Sequence, residues 1–189
     1  PVTERPPPAS APPAPVASGR VARPSAPGPR SWPEQAAGEA LWVAALRDEI
    51  HRSTAGSLSL LLAELEDADR VTAIETRSQA TTTFACFASA LRGALRSHDI
   101  LVRESEARAW IIARGTSRAD ARALGERISD AVRGAPPWRG APLAASVGVA
   151  VLGEDGGTTA ELIDAAEEAR FEAVARGHGV GEHRPQDAG

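Results

Sequence analysis

The apolar positions of this chain switch between a helical period and a strand period from residue 34 onward. Apolar residues three or four apart, which are Trp42, Ala45, Leu46 and Ile50, predict a first helix over 34–53. Residues 57–65 then form an almost unbroken apolar run, which is typical of a central strand covered on both faces. A long second helix follows, because one apolar stripe runs through Phe84, Phe87, Ala88, Leu91 and Leu95.

Two short strands come next, over residues 100–103 and 109–113, and they are close enough to form a hairpin across 104–108. A third helix is predicted by the apolar stripe Ala121, Leu124, Ile128, Ala131 and Val132. A strand over 143–152 and a last helix that ends at Gly177 come after it, with at most a strand stub near Val180. Strands that alternate with helices predict an α/β fold, with a central mixed sheet that contains the β-hairpin and is flanked by helices.

The two ends of the chain have a different composition. Residues 1–33 contain eleven of the fifteen prolines, with alanine and serine between them. Such a segment has little apolar surface to offset its ordering entropy, and proline lacks a backbone donor. We therefore expect a disordered Pro/Ala-rich linker over 1–33, one α/β domain over 34–183 and a flexible tail over 184–189. A linker also implies a partner domain upstream.

The composition excludes several classes of protein. The formal net charge of the 189 residues is −4, and its mixed signs do not favour nucleic acid or an anionic membrane as partner. No apolar run reaches the length of a membrane span, and the single Cys86 cannot form an internal disulfide. We expect a cytoplasmic protein. Arginine supplies all 21 basic residues, since lysine is absent, and this bias is typical of a GC-rich bacterial genome.

Several motifs recur at the spacing of one family. Glu64 ends the first strand, Arg96 and Asp99 form an Arg-x-x-Asp pair, residues 146–150 spell Ser-Val-Gly-Val-Ala, and an alanine-rich helix precedes Gly177. In this order and spacing the chain resembles the GGDEF domain of the diguanylate cyclase family over about residues 38–181. The resemblance implies the GGDEF-type, nucleotidyl-cyclase-like fold and a site that would make cyclic di-GMP from GTP.

The motif that gives the family its name is replaced. Where the family has Gly-Gly-Asp-Glu-Phe, this chain has Ser105, Glu106, Ala107, Arg108 and Ala109. The resemblance implies that Arg108 places a cation where two metal ions would lie, and that Glu106 faces phosphate with a negative charge. Two-metal phosphoryl transfer depends on such positioned charges and ions. The site is therefore predicted to be degenerate and catalytically inactive, with no cofactor.

Other family positions are altered as well. Glu64 stands at the first metal acid and could still bind Mg²⁺, which would matter only if activity remained. The guanine-contacting Asn and Asp correspond to Thr72 and Thr81, and the phosphate-binding Lys corresponds to Val174. We also expect Asp164, Glu167 and Glu168 to form a solvated helix face, and these side chains would then have no role in a site.

The Arg-x-x-Asp pair is the candidate ligand site that remains. In the family this pair binds the product, and a guanidinium with a carboxylate can hold phosphate and a guanine edge. Two structural explanations stay open, because Arg96 near a helix C-terminus is favourable against the helix dipole and Asp99 can close a turn before a strand.

These observations predict a regulatory or signalling module, with cyclic di-GMP reception through Arg96 and Asp99 as its sharpest form. One alternative is a residual diguanylate cyclase. Another is a structural domain that forms a homodimer or binds a partner domain.

The positions of two tryptophans are also predicted. Trp110 is expected in the core, and Trp138 with Arg139 is expected to be either a contact patch or a loop anchor.

Overall fold

The computed structural model describes residues 30–31, 37–177 and 179–183. Its elements, in chain order, are β1 (Arg30–Ser31), α1 (Ala37–Arg52), β2 (Leu58–Leu65), α2 (Ala68–Ile74), α3 (Arg77–Ala94), β3 (Ile100–Arg103), β4 (Arg108–Arg114), α4 (Arg118–Arg133), β5 (Ala145–Val151), α5 (Thr159–Ala175) and β6 (Val180–Glu182). The predicted helices and strands, and the hairpin of β3 and β4, are confirmed with boundaries shifted by a few residues.

The six strands form one mixed sheet in the order β1-β3-β4-β2-β5-β6. The four inner strands are antiparallel to one another, and the two short edge strands are parallel to the strands they pair with, β1 to β3 and β6 to β5. The strand β2 lies between β4 and β5, and its residues from Leu58 to Ala63 are all fully buried. The mostly apolar run of the sequence is therefore explained by a strand with protein on both faces.

Helices cover both faces of this sheet. Because side chains alternate along a strand, Leu61, Ile111 and Val149 lie on the face that α3 and α4 cover. Leu60, Trp110 and Ile112 lie on the opposite face, which α1 and α5 cover. The core thus has two apolar layers, one on each side of the sheet.

A pair of glycines lets α5 approach the sheet closely. Gly148 of β5 and Gly181 of β6 are direct neighbours across the sheet. A Cβ atom on Gly148 would collide with the carbonyl oxygen of Ala166, and one on Gly181 would collide with that of Ala169. The alanines on the buried side of α5 complete this contact, since they add little bulk. The glycine of the Ser-Val-Gly-Val-Ala motif therefore has a packing role.

Side-chain caps fix the start of three helices. Thr76 and Gln79 form a capping box at α3, Thr158 and Glu161 form one at α5, and the Ser117 hydroxyl accepts from a backbone N–H at α4. Each cap satisfies donors that the first helical turn leaves free. The hydrogen bonds from the backbone N–H groups of Gly157 and Thr158 also lower the pKa of Glu161.

Two elements were not predicted. The short helix α2 has one buried residue, Val71, so it has no apolar stripe to detect, and β1 consists of two residues. Arg30 and Ser31 pair with β3 inside the segment that was predicted to be a linker. The rest of that prediction, and the predicted tail, lie outside the described residues. In the described part of the chain, no helix is long and apolar enough to cross a membrane.

Candidate functional site

The β3–β4 turn carries the five replaced motif positions. Ser105, Glu106 and Ala107 lie in the turn, and Arg108 and Ala109 begin β4. The backbone N–H groups of Glu104 and Ser105 both donate to the carbonyl of Arg108, at 3.0 and 3.1 Å. Neither Ser105 nor Glu106 has a positive φ, since Asp67 and Arg139 are the only such non-glycine residues in the part of the chain that is described. The turn therefore closes without the backbone freedom of glycine.

Arg108 lies at the centre of an ion-pair cluster with three glutamates. It faces Glu64 directly across β2 and β4. Its Nη1 donates to Glu64 Oε2 at 2.9 Å, its Nε donates to Glu104 Oε2 at 2.6 Å, and its Nη2 donates to Glu167. These three carboxylates come from β2, from the turn and from α5. We call Arg108 with Glu64, Glu104 and Glu167 the Arg108 cluster.

The guanidinium in this cluster stays charged. Partial burial of the Arg108 side chain disfavours the charged form, but the hydrogen bond and charge of Glu104 and the charges of Glu167 and Glu64 outweigh it, so its pKa is raised above the ordinary value. A planar guanidinium also offers its donors in a fixed fork that suits several carboxylates at once. The cluster is therefore a stable arrangement of one cation among three anions.

A divalent ion does not fit this donor set. Glu64 Oε2 accepts from Arg108 and lies 3.4 Å from Nε of Arg170, so two guanidinium groups already face the one acid that the resemblance assigns to metal binding. Among residues 37–177 and 179–183, no group of three or more His, Cys, Asp or Glu side chains could hold a metal ion. A positive group occupies the position between the carboxylates, and a metal there would be repelled by it.

Trp110 lies directly beneath the cluster. Its indole Nε1 donates to Glu104 Oε2 at 2.9 Å, which is the same oxygen that accepts from Arg108. The guanidinium carbon of Arg108 lies 5.6 Å from the centre of the Trp110 ring, within cation–π range. The ring of Trp42 stacks on Trp110. Trp110 is in the core as predicted, with 2% of its surface exposed, and it also supports the site.

A cleft of about 450 Å³ lies beside the turn. It is lined by Thr72, Glu75, Arg77, Ala80, Thr81, Phe84 and Glu106. Thr72 and Thr81 are the residues that the resemblance places where guanine would be contacted. The Thr72 hydroxyl already donates to the carbonyl of Ala68, which leaves it only as an acceptor towards the cleft. Thr72 and Thr81 therefore present hydroxyl groups at the two positions where the resemblance implies an amide and a carboxylate.

One wall of the cleft is held by a loop anchor. The Trp138 Nε1 donates to Glu75 Oε1 at 2.8 Å, and Arg139 Nε donates to the same oxygen at 2.5 Å. The hydrogen bonds from Arg139 and then Trp138 lower the pKa of Glu75 below its ordinary value. Arg70 lies over the Trp138 ring at 5.6 Å. Of the two predictions for Trp138 and Arg139, the structure favours the loop anchor.

The Arg-x-x-Asp pair lies at the other end of β3. Asp99 is 1% exposed, and its Oδ2 accepts from the backbone N–H of Arg96 at 2.8 Å. The backbone N–H of Asp99 donates in return to the carbonyl of Arg96 at 3.2 Å. Within the described residues, the buried Oδ1 of Asp99 has no hydrogen-bond partner, and His98 Nε2 is 4.0 Å from it. Asp99 therefore closes the turn before β3, while the Arg96 side chain is exposed.

Several solved structures with the same fold are GGDEF domains. The GGDEF domain of YfiN (TpbB) from Pseudomonas aeruginosa matches with a TM-score of 0.68 at 20% identity, over 78% of this chain and 96% of that one. The chain has the GGDEF fold. The GGDEF domain of DgcB from Caulobacter crescentus, in complex with cyclic di-GMP, matches with a TM-score of 0.65 at 13% identity, over 80% and 88%.

The diguanylate cyclase SiaD from Pseudomonas aeruginosa, in complex with its activator SiaC, matches this GGDEF fold with a TM-score of 0.64 at 24% identity. The match covers 74% of this chain and 55% of SiaD, so the chain spans about half the length of that protein. No family model and no curated protein matches the sequence. At these identities the likeness concerns the fold, which agrees with the element order and the position of the motif turn.

Two partners of Arg108 in this GGDEF-fold domain were not predicted. Glu167 was assigned to a solvated helix face, and this was wrong, because it binds Arg108 although it is still 37% exposed. Glu104 was treated only as part of the hairpin connection. Because side chains alternate along β4, Arg108 and Trp110 lie on the sheet face that α5 covers, and this could have indicated an acidic partner from α5. Whether Glu167 comes within hydrogen-bond distance depends on how closely α5 packs on the glycine pair.

Proposed function

We propose that this GGDEF-fold domain is catalytically silent and acts as a regulatory or protein-interaction module in signalling. The observation that carries the proposal is the Arg108 cluster, in which a guanidinium is bound by the carboxylates that would otherwise attract a divalent ion. A side chain that is covalently attached to β4 cannot leave the site as a metal ion can. The domain would therefore offer its shape and surface to partners, and no metal-dependent chemistry.

Three further features support the proposal that the domain has no catalytic activity. The β3–β4 turn presents Glu106 beside the cleft, where it would repel phosphate groups. Thr72 and Thr81 line the cleft where a guanine edge needs an amide and a carboxylate. Val174 is 47% exposed at the position where the resemblance places a phosphate-binding lysine. Because phosphoryl transfer is catalysed mainly by positioned charges and metal ions, the loss of several together removes most of the transition-state stabilisation.

A turnover experiment tests this proposal. We expect the purified protein to leave GTP unchanged in the presence of Mg²⁺ or Mn²⁺, with no cyclic di-GMP detected by mass spectrometry. Glu64→Gln is the matched control, because it removes the one retained family acid. Formation of cyclic di-GMP by the natural sequence, together with its loss in Glu64→Gln, would refute the proposal and establish the residual cyclase instead.

Cyclic di-GMP reception is a second candidate function. The exposed guanidinium of Arg96 favours it, as does Oδ1 of Asp99, which has no hydrogen-bond partner among the described residues. DgcB, which has the same fold, was solved with this dinucleotide. Binding would require Asp99 to become accessible, because it is 1% exposed and holds the turn through the backbone of Arg96. The contacts between the ligand and Arg96 would have to offset the free energy that this rearrangement costs.

Calorimetric titration with cyclic di-GMP tests the second candidate. If the site binds, Arg96→Ala should weaken the affinity by about tenfold or more, which matches the 1.5–3 kcal/mol of a hydrogen bond to a charged group. Arg92→Ala is the control, since Arg92 is also exposed and lies in the last turn of α3, four residues before Arg96. A flat titration of the unmodified protein, or equal losses in both variants, would remove the receptor function and leave the silent module.

A further inference from the structure

The strand β6 forms one edge of the sheet. It pairs with β5, and no further strand lies beyond it in the described part of the chain. The carbonyl oxygen of Gly179, just before β6, accepts from the backbone N–H of Val147 at 2.8 Å. Because alternate residues of a strand bond to opposite neighbours, the backbone N–H and C=O groups of Val180 and Glu182 point to the open edge. Such an edge can accept a further strand.

Helix α4 lies along this edge and runs antiparallel to β6. Arg122 in the first half of α4 lies 3.7 Å from Glu182 at the end of β6. Further along the helix, a Cβ atom on Gly125 would lie 3.0 Å from the side chain of Val180. A groove of about 470 Å³ lies between the two elements. It is lined by residues 179–182, Arg176 and the α4 residues Arg122, Glu126, Ser129, Asp130 and Arg133.

A buried hydroxyl group opens into this groove. Ser129 lines the groove although it is only 6% exposed. Its hydroxyl makes no hydrogen bond to any described residue. A Cβ atom on Gly179 would come within 2.5 Å of this oxygen, so the hydroxyl lies close beside the chain that enters β6. Buried polar groups normally have a hydrogen-bond partner, and here a molecule in the groove would supply it.

The lining charges differ between the two ends of the groove. The end beside Glu182 has an excess of negative charge, because the carboxylates of Glu126 and Glu182 share the guanidinium of Arg122, at 3.1 and 3.7 Å. The opposite end has an excess of positive charge among its lining residues. Two guanidinium groups and one carboxylate line that end, and they belong to Arg133, Arg176 and Asp130, while Glu172, which pairs with Arg176, lies outside the lining.

We propose that the edge of β6 binds an extended peptide segment of a partner protein, which adds a strand to the sheet. The inference rests on the proposed function as a protein-interaction module, and it adds the surface and the chemistry of the partner. An antiparallel segment would place a basic side chain opposite Glu182, a β-branched side chain opposite Val180 and an acidic side chain towards Arg133. Opposite charges and β-branched side chains stabilise such cross-strand pairs. The expected pattern is Arg-x-Val-x-Glu.

A second copy of this chain fits the edge less well. If two β6 strands paired about a twofold axis at Gly181, Glu182 of one copy would lie opposite Val180 of the other. Neither strand would then supply a cation to the negative end of the groove or an anion to the positive end. The charge order therefore favours a different chain as the occupant.

Titration of the ¹⁵N-labelled protein with two synthetic peptides tests this edge site. The first is acetyl-Thr-Arg-Thr-Val-Thr-Glu-Thr-amide, and the second has its Arg and Glu exchanged, so that the composition is the same. We expect millimolar amounts of the first peptide to shift the backbone amide signals of Val180 and Glu182. The second should bind about tenfold more weakly, because two attractive charge contacts become repulsive ones.

Two variants show whether the bound peptide occupies the edge. Val180→Pro removes the backbone N–H that points to the open edge but keeps the bond between Val147 and Gly179, so it should abolish binding of the first peptide. Arg133→Gln keeps the strand, since Arg133 is an exposed residue of α4, and should reduce the difference between the two peptides to about threefold. This second variant decides the matter if Val180→Pro does not fold.

Equal affinity for the two peptides, or unchanged signals of Val180 and Glu182, would overturn the edge site. Signals of these two amides that shift with protein concentration alone would also overturn it, because a second copy would then occupy the edge. GTP turnover is measured in a separate assay, so failure of the peptide to bind leaves the proposed absence of catalysis unaffected.

Discussion

Replacing Gly148 by alanine is expected to destabilise the domain by more than about 3 kcal/mol, the upper range for overpacking a core. The added Cβ would collide with the carbonyl oxygen of Ala166 and lie 2.5 Å from the backbone nitrogen of Arg170. Both obstacles are backbone atoms of one helix turn, so a change of rotamer cannot relieve them. The helix α5 would have to move away from β5, and urea unfolding would show this as a lower midpoint.

Gly93→Ala is the control for this prediction. Gly93 lies in α3, it is exposed, and a Cβ atom there would meet nothing within 4 Å. Because alanine is the better helix former, this variant should be more stable by about 1 kcal/mol. The same chemical change is thus expected to have opposite signs at two glycines. An unchanged unfolding midpoint for Gly148→Ala would show that α5 does not pack as closely as the structure indicates.

The glycine pair also matters for the site. α5 supplies Glu167 to Arg108 and Arg170 to Glu64. If α5 moved away from the sheet to make room for the added Cβ atom, the Glu167–Arg108 and Arg170–Glu64 distances would both increase. Gly148→Ala should therefore weaken the Arg108 cluster even in any fraction of the protein that folds, and this couples the packing of the sheet to the electrostatics of the turn.

The second large effect is expected from Arg108→Ala. This variant removes the guanidinium shared by Glu64, Glu104 and Glu167, while Arg170 remains 3.4 Å from Glu64. Truncating one partner of a buried ion pair costs about 3–5 kcal/mol, but these side chains are between a fifth and a half exposed, so we expect about 2 kcal/mol. Thermal unfolding by circular dichroism should show a decrease of about 4–8 °C for a domain of this size.

Arg122→Ala separates this effect from the loss of an ordinary surface pair. Arg122 is 59% exposed and lies 3.1 Å from Glu126 and 3.7 Å from Glu182. Exposed pairs of this kind contribute about 0–1 kcal/mol, so this variant should unfold close to the temperature of the unmodified protein. Similar decreases in unfolding temperature for both variants would mean that the Arg108 cluster stabilises the domain no more than an ordinary surface ion pair.

The element types could be predicted because their apolar patterns are strong. The continuous run of β2 and the stripe of α3 each correspond to a surface that is buried in the structure. The short helix α2 could not be predicted in this way, since Val71 is its only buried residue. The strand β1 has two residues and depends on pairing with β3, which no local pattern encodes.

The site was predictable in position but not in its contacts. The resemblance placed Arg108 in the hairpin connection, where the metal ions of the family would lie, and the structure has it as the first residue of β4, opposite Glu64. That Glu104 and Glu167 bind it depends on the orientation of side chains from a turn and a distant helix. The burial of Asp99 could not be predicted either, because a carboxylate before a strand is usually exposed. Its hydrogen bond from the backbone N–H of Arg96 depends on the geometry of the turn.

Thermal unfolding with and without Mn²⁺, for the unmodified protein and for Arg108→Ala, tests most directly whether a guanidinium has taken the place of a metal ion. A ligand that binds only the folded state raises its unfolding temperature. We predict that Mn²⁺ leaves the unfolding temperature of the unmodified protein unchanged. It should raise the unfolding temperature of Arg108→Ala, in which the three carboxylates lack the guanidinium. Stabilisation of the unmodified protein by Mn²⁺, lost in Glu64→Gln, would contradict the account.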